Sequence, residues 1–105
     1  MKIFQNPISD FSAPDPFVTF DNATGYYYAL FTRGTHLEIF RSRYAADIVR
    51  GGESKVIYTP DPEKDGIYGD IWAPEMHKGT NGKWYIYTSG RYDEKHGCKC
   101  LFIME

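Results

Sequence analysis

Long apolar runs are missing: no stretch approaches the roughly 18 consecutive apolar residues of a helical membrane span, and no membrane partner is expected. The opening Met1-Lys2-Ile3-Phe4-Gln5-Asn6-Pro7 turns polar at once and does not read as an export signal. The compartment stays open between cytoplasm and export. Charge of one sign is also lacking, with 12 basic against 14 acidic side chains and no Lys/Arg run. That balance argues against nucleic acid as the main partner. Cysteine is scarce. Cys98 and Cys100 stand two apart, so on one strand they share a face, and a disulfide closing so short a loop would be strained. No third or fourth ligand lies near them, which disfavours zinc. They read as ordinary thiols.

Aromatic residues, by contrast, are abundant. Nine Tyr, seven Phe and two Trp, beside ten Gly and six Pro, predict β-strands punctuated by turns. Short alternating runs give the strands. They are Asp15–Phe20, Tyr26–Phe31, Leu37–Ser42 and Ser54–Thr59, with a helical turn inside 43–50 and a polar loop over 60–70. The order then restarts with strands at about 73–78, 83–89 and 98–104. Pro16 matches Pro74 and Gly25 matches Gly82, offsets of 58 and 57 residues. A strand repeat near the roughly 50-residue spacing of kelch-like blades predicts a β-propeller, each blade a four-stranded antiparallel meander.

The expected architecture is therefore all-β and a partial propeller. Blade 1 is complete over about 12–59, and blade 2 has three strands over about 71–105; its fourth strand is missing, to be supplied by another chain segment unless the chain is a truncated piece. Residues 1–105 are read as the N-terminal part of one propeller domain. Two blades cannot close a ring, so open strand edges are expected to be covered by the remaining blades or by self-association.

Position in such a propeller bears on function. The innermost strand starts at the mouth of the central channel, which puts Asp15 and Ala73 at the mouth. Asp15 is therefore a candidate catalytic group. The competing reading is that an Asp before Pro simply makes a turn. Trp72 either offers an indole face to a sugar ring or belongs to the packing between blades. Arg33 and His36, in the mouth-side loop, either hydrogen-bond substrate hydroxyls or are solvated loop residues. His77 reads as a packed or half-exposed strand residue. His96, beside Asp93, Glu94 and Lys95, reads as part of a solvated mixed-charge loop.

The segments Ala13-Pro14-Asp15-Pro16-Phe17-Val18, Gly25-Tyr26-Tyr27-Tyr28, Asp70-Ile71-Trp72-Ala73-Pro74-Glu75 and Gly82-Lys83-Trp84-Tyr85-Ile86-Tyr87 together resemble the opening of glycoside hydrolase family 43, from about Asp10 onward. Glu38-Ile39-Phe40-Arg41-Ser42 and Trp72-Ala73-Pro74-Glu75-Met76-His77 look most like α-L-arabinofuranosidases acting on arabinan. Members acting as β-xylosidases and endo-arabinanases share the same skeleton. The resemblance implies a five-bladed propeller and glycosidic hydrolysis with inversion, on pentose-containing oligo- or polysaccharides such as arabinan or xylan. It implies three carboxylates: a general-base Asp, matched by Asp15, a general-acid Glu and an Asp that tunes the acid. The latter two belong to later blades, beyond Glu105, so this chain alone is expected not to turn over substrate. Glu75 matches none of the three.

Trp72 and Ala73 are expected to line the sugar pocket, with Arg33 and His36 as further substrate contacts. Family members often hold a channel metal, yet no ligand set is recognisable here, so no metal or other cofactor is expected. The rival function is a non-catalytic β-module that binds carbohydrate through Trp72 and Tyr side chains, or a protein through its open edge. A kelch-type interaction propeller is disfavoured because neither second strand carries a paired glycine.

Overall fold

The structure is a computed structural model that describes residues 6–95, 97 and 99–105; His96 and Cys98 lie outside the described residues. Among the described residues, seven strands form two antiparallel sheets. The first sheet runs β1 (Phe17–Asp21), β2 (Tyr26–Leu30), β3 (Leu37–Ser42) and β4 (Glu53–Tyr58) in sequence order. The second runs β5 (Gly69–Lys78), β6 (Trp84–Arg91) and β7 (Lys99–Met104).

Local chemistry explains the turns. Between β1 and β2 the Asp21 carboxylate accepts hydrogen bonds from the Thr24 hydroxyl at 2.8 Å and the Ala23 amide at 3.3 Å. Gly25 then closes the hairpin at φ 73°, a value that suits a residue without a Cβ. The expected helical turn within 43–50 is a 3₁₀ turn at Ala45–Asp47.

Most strand ends differ from the sequence reading by a residue or two, and three differences bear on the architecture. The polar loop 60–70 contains a one-turn helix, α1 (Pro62–Asp65), capped by Asp61 on the Glu63 amide and ended by left-handed Gly66. β1 begins at Phe17 rather than Asp15, because Asp15 has φ 52° and is not extended. β5 begins at Gly69 rather than 73, and its register slips on both sides of Trp72, with Asp70 and Ala73 at φ 53° and 47°. These slips are bulges that bend the strand.

The main core lies between the sheets. Leu30 and Leu37 from the first sheet meet Ile71, Met76 and Ile86 from the second, with Ile67 from the connection between them. Each such buried side chain contributes about 1.5–3 kcal/mol. A second cluster, Ala29, Phe31, Phe40 and Ile48, lies on the other side of the first sheet under Ile8 and Ala13. Phe11 adds ring contacts to Phe31 and Phe40 there.

The sheets are also joined at both ends. At one end Gly34 and Ile71 exchange two backbone hydrogen bonds, of 3.2 and 2.9 Å. At the other, the Lys78 ammonium lies 3.3 Å from the buried Asp21 carboxylate. Cys100 is a free, half-buried thiol packed against the main core. The far face of the second sheet is open: Tyr87 pairs with Ile103 and Ser89 with Leu101, and Leu101 is 74% exposed.

Candidate active site

The start of β1, the residues after β2 and the bulged start of β5 converge at the end of the molecule where Gly34 meets Ile71. Pro16 follows Asp15 and fixes its own φ, while the Asp15 backbone sits in the left-handed region. Among the described residues the exposed carboxylate is held by the Thr32 hydroxyl, which donates to Oδ2 at 2.7 Å. The Thr32 backbone amide donates to the Pro14 carbonyl at 3.0 Å, which ties the residue before Asp15 to the end of β2.

The same hydroxyl oxygen accepts from the Ala73 amide at 2.7 Å. Asp15 and Ala73 are thereby brought together. A residue in the left-handed region without glycine costs about 1–2 kcal/mol, and such strain concentrates where a site over-determines the backbone. Here two of the three strained non-glycine residues, Asp15 and Ala73, hang on one hydroxyl.

Trp72 precedes Ala73 and is 44% exposed. Its carbonyl accepts from the Thr88 hydroxyl at 2.8 Å, which anchors the bulge to β6. The Lys99 ammonium stands 3.2 Å from the centre of its ring, a cation–π contact. Asp70 carries that lysine at 3.1 Å and the Arg91 guanidinium at 3.2 Å. A groove of about 540 Å³ opens beside the indole, lined by Trp72, Ala73, Glu75, His77, Tyr87 and Ser89 among others. The Glu75 carboxylate and the His77 ring are 2.9 Å apart. His77 also sets its edge against Phe17 of β1, with ring centres 5.2 Å apart.

Arg33 and His36 are placed differently. Both point at Glu38, at 3.5 and 3.6 Å, and the Arg33 guanidinium covers the Phe11 ring at 4.4 Å. The structure thus joins Asp15 to Ala73, with Trp72 adjacent, and pairs Arg33 and His36 with Glu38. Sequence reasoning missed Thr32, Asp70 and Lys99. Asp70 stands inside the motif that carried the resemblance, but nothing local marks Thr32 or Lys99 as partners of this end. Among the described residues no group of three or more His, Cys, Asp or Glu is arranged to hold a metal ion.

The model of the family described as "Glycosyl hydrolases family 43" matches residues 4–105. Among solved structures, an α-L-arabinofuranosidase from Lactobacillus brevis superposes with a TM-score of 0.80 at 25% identity, over 95% of this chain and 32% of that one. An endo-arabinase from Bacteroides thetaiotaomicron VPI-5482 gives 0.72 at 19% identity, over 97% and 34%. A thermostable family-43 glycoside hydrolase gives 0.66 at 23%, over 96% and 31%. The last two likenesses speak for the fold alone. The chain spans about a third of the length of these structures. No curated protein matches it. Each of its two sheets corresponds to a propeller blade.

Proposed function

The chain belongs to glycosyl hydrolase family 43, and from that premise we propose that it carries the water-activating side of a glycosidase site, with Asp15 as general base. The observation that carries the proposal is the anchored, solvent-facing Asp15 carboxylate joined to the bulge that presents Trp72 and Ala73. In an inverting hydrolysis one carboxylate takes a proton from water while a carboxylic acid on the other side of the bond protonates the leaving oxygen. A separation of roughly 6.5–9.5 Å leaves room for that water.

The proposed substrates are arabinose-containing polysaccharides or oligosaccharides, with xylose-containing ones as the alternative. The likeness to an arabinofuranosidase at 25% identity supports the first. Lys99 takes one face of the Trp72 indole, so a pentose ring stacks on the other, beside Ala73. Arg33 and His36 are each paired with Glu38, and the Arg33 guanidinium keeps further N–H donors for a sugar hydroxyl. The proposed contacts rest first on Asp15, Trp72 and Ala73, with Arg33 and His36 as further ones. Glu75 is not the acid in this reading, and further sheets of the same kind are the proposed partners that complete the site.

The 105-residue chain is accordingly proposed to be inactive alone, since water activation without leaving-group protonation forfeits much of the roughly 10²–10⁴-fold acid–base contribution. An assay on nitrophenyl α-L-arabinofuranoside and nitrophenyl β-D-xyloside tests this. No turnover is expected from the isolated chain. Robust turnover abolished by Asp15→Ala would show that an acid is supplied within these residues and would overturn the proposed division of labour.

A further inference from the structure

We propose that Thr32 is the positioning residue for the Asp15 carboxylate, and that its hydroxyl decides which carboxylate oxygen takes the proton from water. The inference rests on the reading of Asp15 as general base. Its geometry follows from the hydrogen-bonding capacity of three groups. A backbone amide only donates, so in the 2.7 Å contact between the Ala73 nitrogen and Thr32 Oγ1 the hydroxyl oxygen is the acceptor. The hydroxyl hydrogen is then free for Asp15 Oδ2, also at 2.7 Å. An ionised carboxylate can only accept. The chain of donors therefore runs one way, from the second sheet through Thr32 into Asp15.

Two consequences follow for the chemistry. Oδ2 is committed to an O–H···O⁻ bond, one of the stronger kinds, while Oδ1 is the oxygen left for water. In the reaction the attacking water gives its proton to Oδ1 as its oxygen bonds the anomeric carbon. The bond to the leaving oxygen breaks as that oxygen takes a proton from a carboxylic acid of the completed site. Thr32 exchanges no proton in this scheme and acts through Asp15.

The side chain is suited to the task. Branching at Cβ restricts χ1, and the Thr32 amide is fixed on the Pro14 carbonyl at 3.0 Å. The hydroxyl is thus aimed from a rigid base at a carboxylate whose backbone is itself held at φ 52°. Ala73, at φ 47°, supplies the amide that orients the hydroxyl. The bulge of β5 therefore has a part in aiming the base, in addition to presenting Trp72.

The test uses the whole chain and needs no turnover. Nuclear magnetic resonance follows the Asp15 side-chain carboxyl carbon and the hydrogen exchange of the Ala73 amide at neutral pH, in wild type, Thr32→Ser and Thr32→Val. Serine keeps the hydroxyl, whereas valine keeps the shape and loses it. Thr32→Ser is expected to retain the Asp15 resonance and the Ala73 protection. Thr32→Val is expected to move the resonance and to speed Ala73 exchange by roughly tenfold. An Asp15 resonance unmoved in Thr32→Val, or moved as far in Thr32→Ser, would overturn the assignment. Should Thr32→Val not fold, Thr32→Ala takes its place with the same two outcomes. Because neither readout uses a sugar, failure of the glycosidase reading shows separately, as the absence of shifts at Trp72 and Ala73 when the chain is titrated with an arabino-oligosaccharide.

Discussion

The carboxylate of Asp15, two residues before the first sheet begins, and the backbone amide of Ala73, in the second, meet at one atom, the Thr32 hydroxyl oxygen, 2.7 Å from each. Gly34 and Ile71 stitch the same end through paired backbone hydrogen bonds. The site is thus a property of the contact between the two sheets: the segments just outside β1 and β2 supply the carboxylate and the hydroxyl, and β5 the amide and the indole.

Ala73 tests the backbone strain at this junction. At φ 47° a glycine substitution removes the Cβ conflict but adds unfolded-state entropy. Ala73→Gly is expected to raise stability by about 0.5–1 kcal/mol. Ala73→Val is expected to lower it by more than about 1 kcal/mol, since a branched side chain suits this region least. Urea unfolding midpoints measure both, and a lower midpoint for Ala73→Gly would contradict the strain.

The opposite end of the sheets supplies a pH dependence. The Thr24 hydroxyl, chiefly, holds the buried Asp21 carboxyl below the usual carboxylate range; burial opposes this, while the Ala23 amide and Lys78 add to it. A carboxyl with a lower pKa folded than unfolded contributes stability that is complete above its unfolded value, about 3.9. The contribution is lost as pH falls through the folded value. Urea midpoints are therefore expected to drop below about pH 4, and Asp21→Asn is expected to flatten that drop. Some slope should remain from Asp65, where burial pushes the pKa up but the Tyr58 hydroxyl and the Ile67 and Asp61 amides outweigh it. An unchanged acid slope in Asp21→Asn would refute the role of this pair.

The core between the sheets is expected to dominate stability. Leu37 is fully buried, whereas Val18 is 51% exposed. Leu37→Ala is expected to cost about 2–5 kcal/mol, and Val18→Ala no more than about 0.5 kcal/mol. Equal losses in urea unfolding would contradict the placement of the core.

Much of this architecture was legible in the sequence. Alternation in Leu37-Glu38-Ile39-Phe40-Arg41-Ser42 located β3 with its observed ends, although its buried residues face both ways, Leu37 into the core between the sheets and Phe40 into the second cluster. The match of Pro16 with Pro74 located the second sheet's inner strand. The bulges of β5 were not legible. Gly69 announces an irregularity, but Asp70 and Ala73 adopt positive φ against their own preference, under tertiary contacts that no local pattern records.

α1 is a different case. Asp61 as cap, Pro62 in the first turn and Gly66 past the end are a readable helix signature, outweighed in the sequence reading by the polar composition of 60–70. Within the site, Asp15 and Trp72 stood out through their motifs. The link through Thr32 depends on two sheets meeting, and the Lys99 contact on the register of β7 against β6, so neither had a sequence signal.

The open face of the second sheet is expected to drive association. Tyr87, Leu101 and Ile103 are exposed there, at 39%, 74% and 53%, and contiguous apolar surface of this kind marks an interaction face. Leu101→Lys is expected to shift size-exclusion elution toward the monomer while leaving the unfolding midpoint within about 0.5 kcal/mol of wild type. Unchanged elution of an associated species would show that another surface is responsible.

The most direct test of the central claim is a titration of the isotopically labelled chain with an arabino-oligosaccharide, followed through backbone amide and indole resonances. The claim that a sugar site lies where the two sheets meet predicts shifts concentrated at Asp15, Thr32, Ala73 and the Trp72 indole, all weakened in Trp72→Ala. Shifts confined to other surfaces, or a response that Trp72→Ala leaves intact, would contradict it.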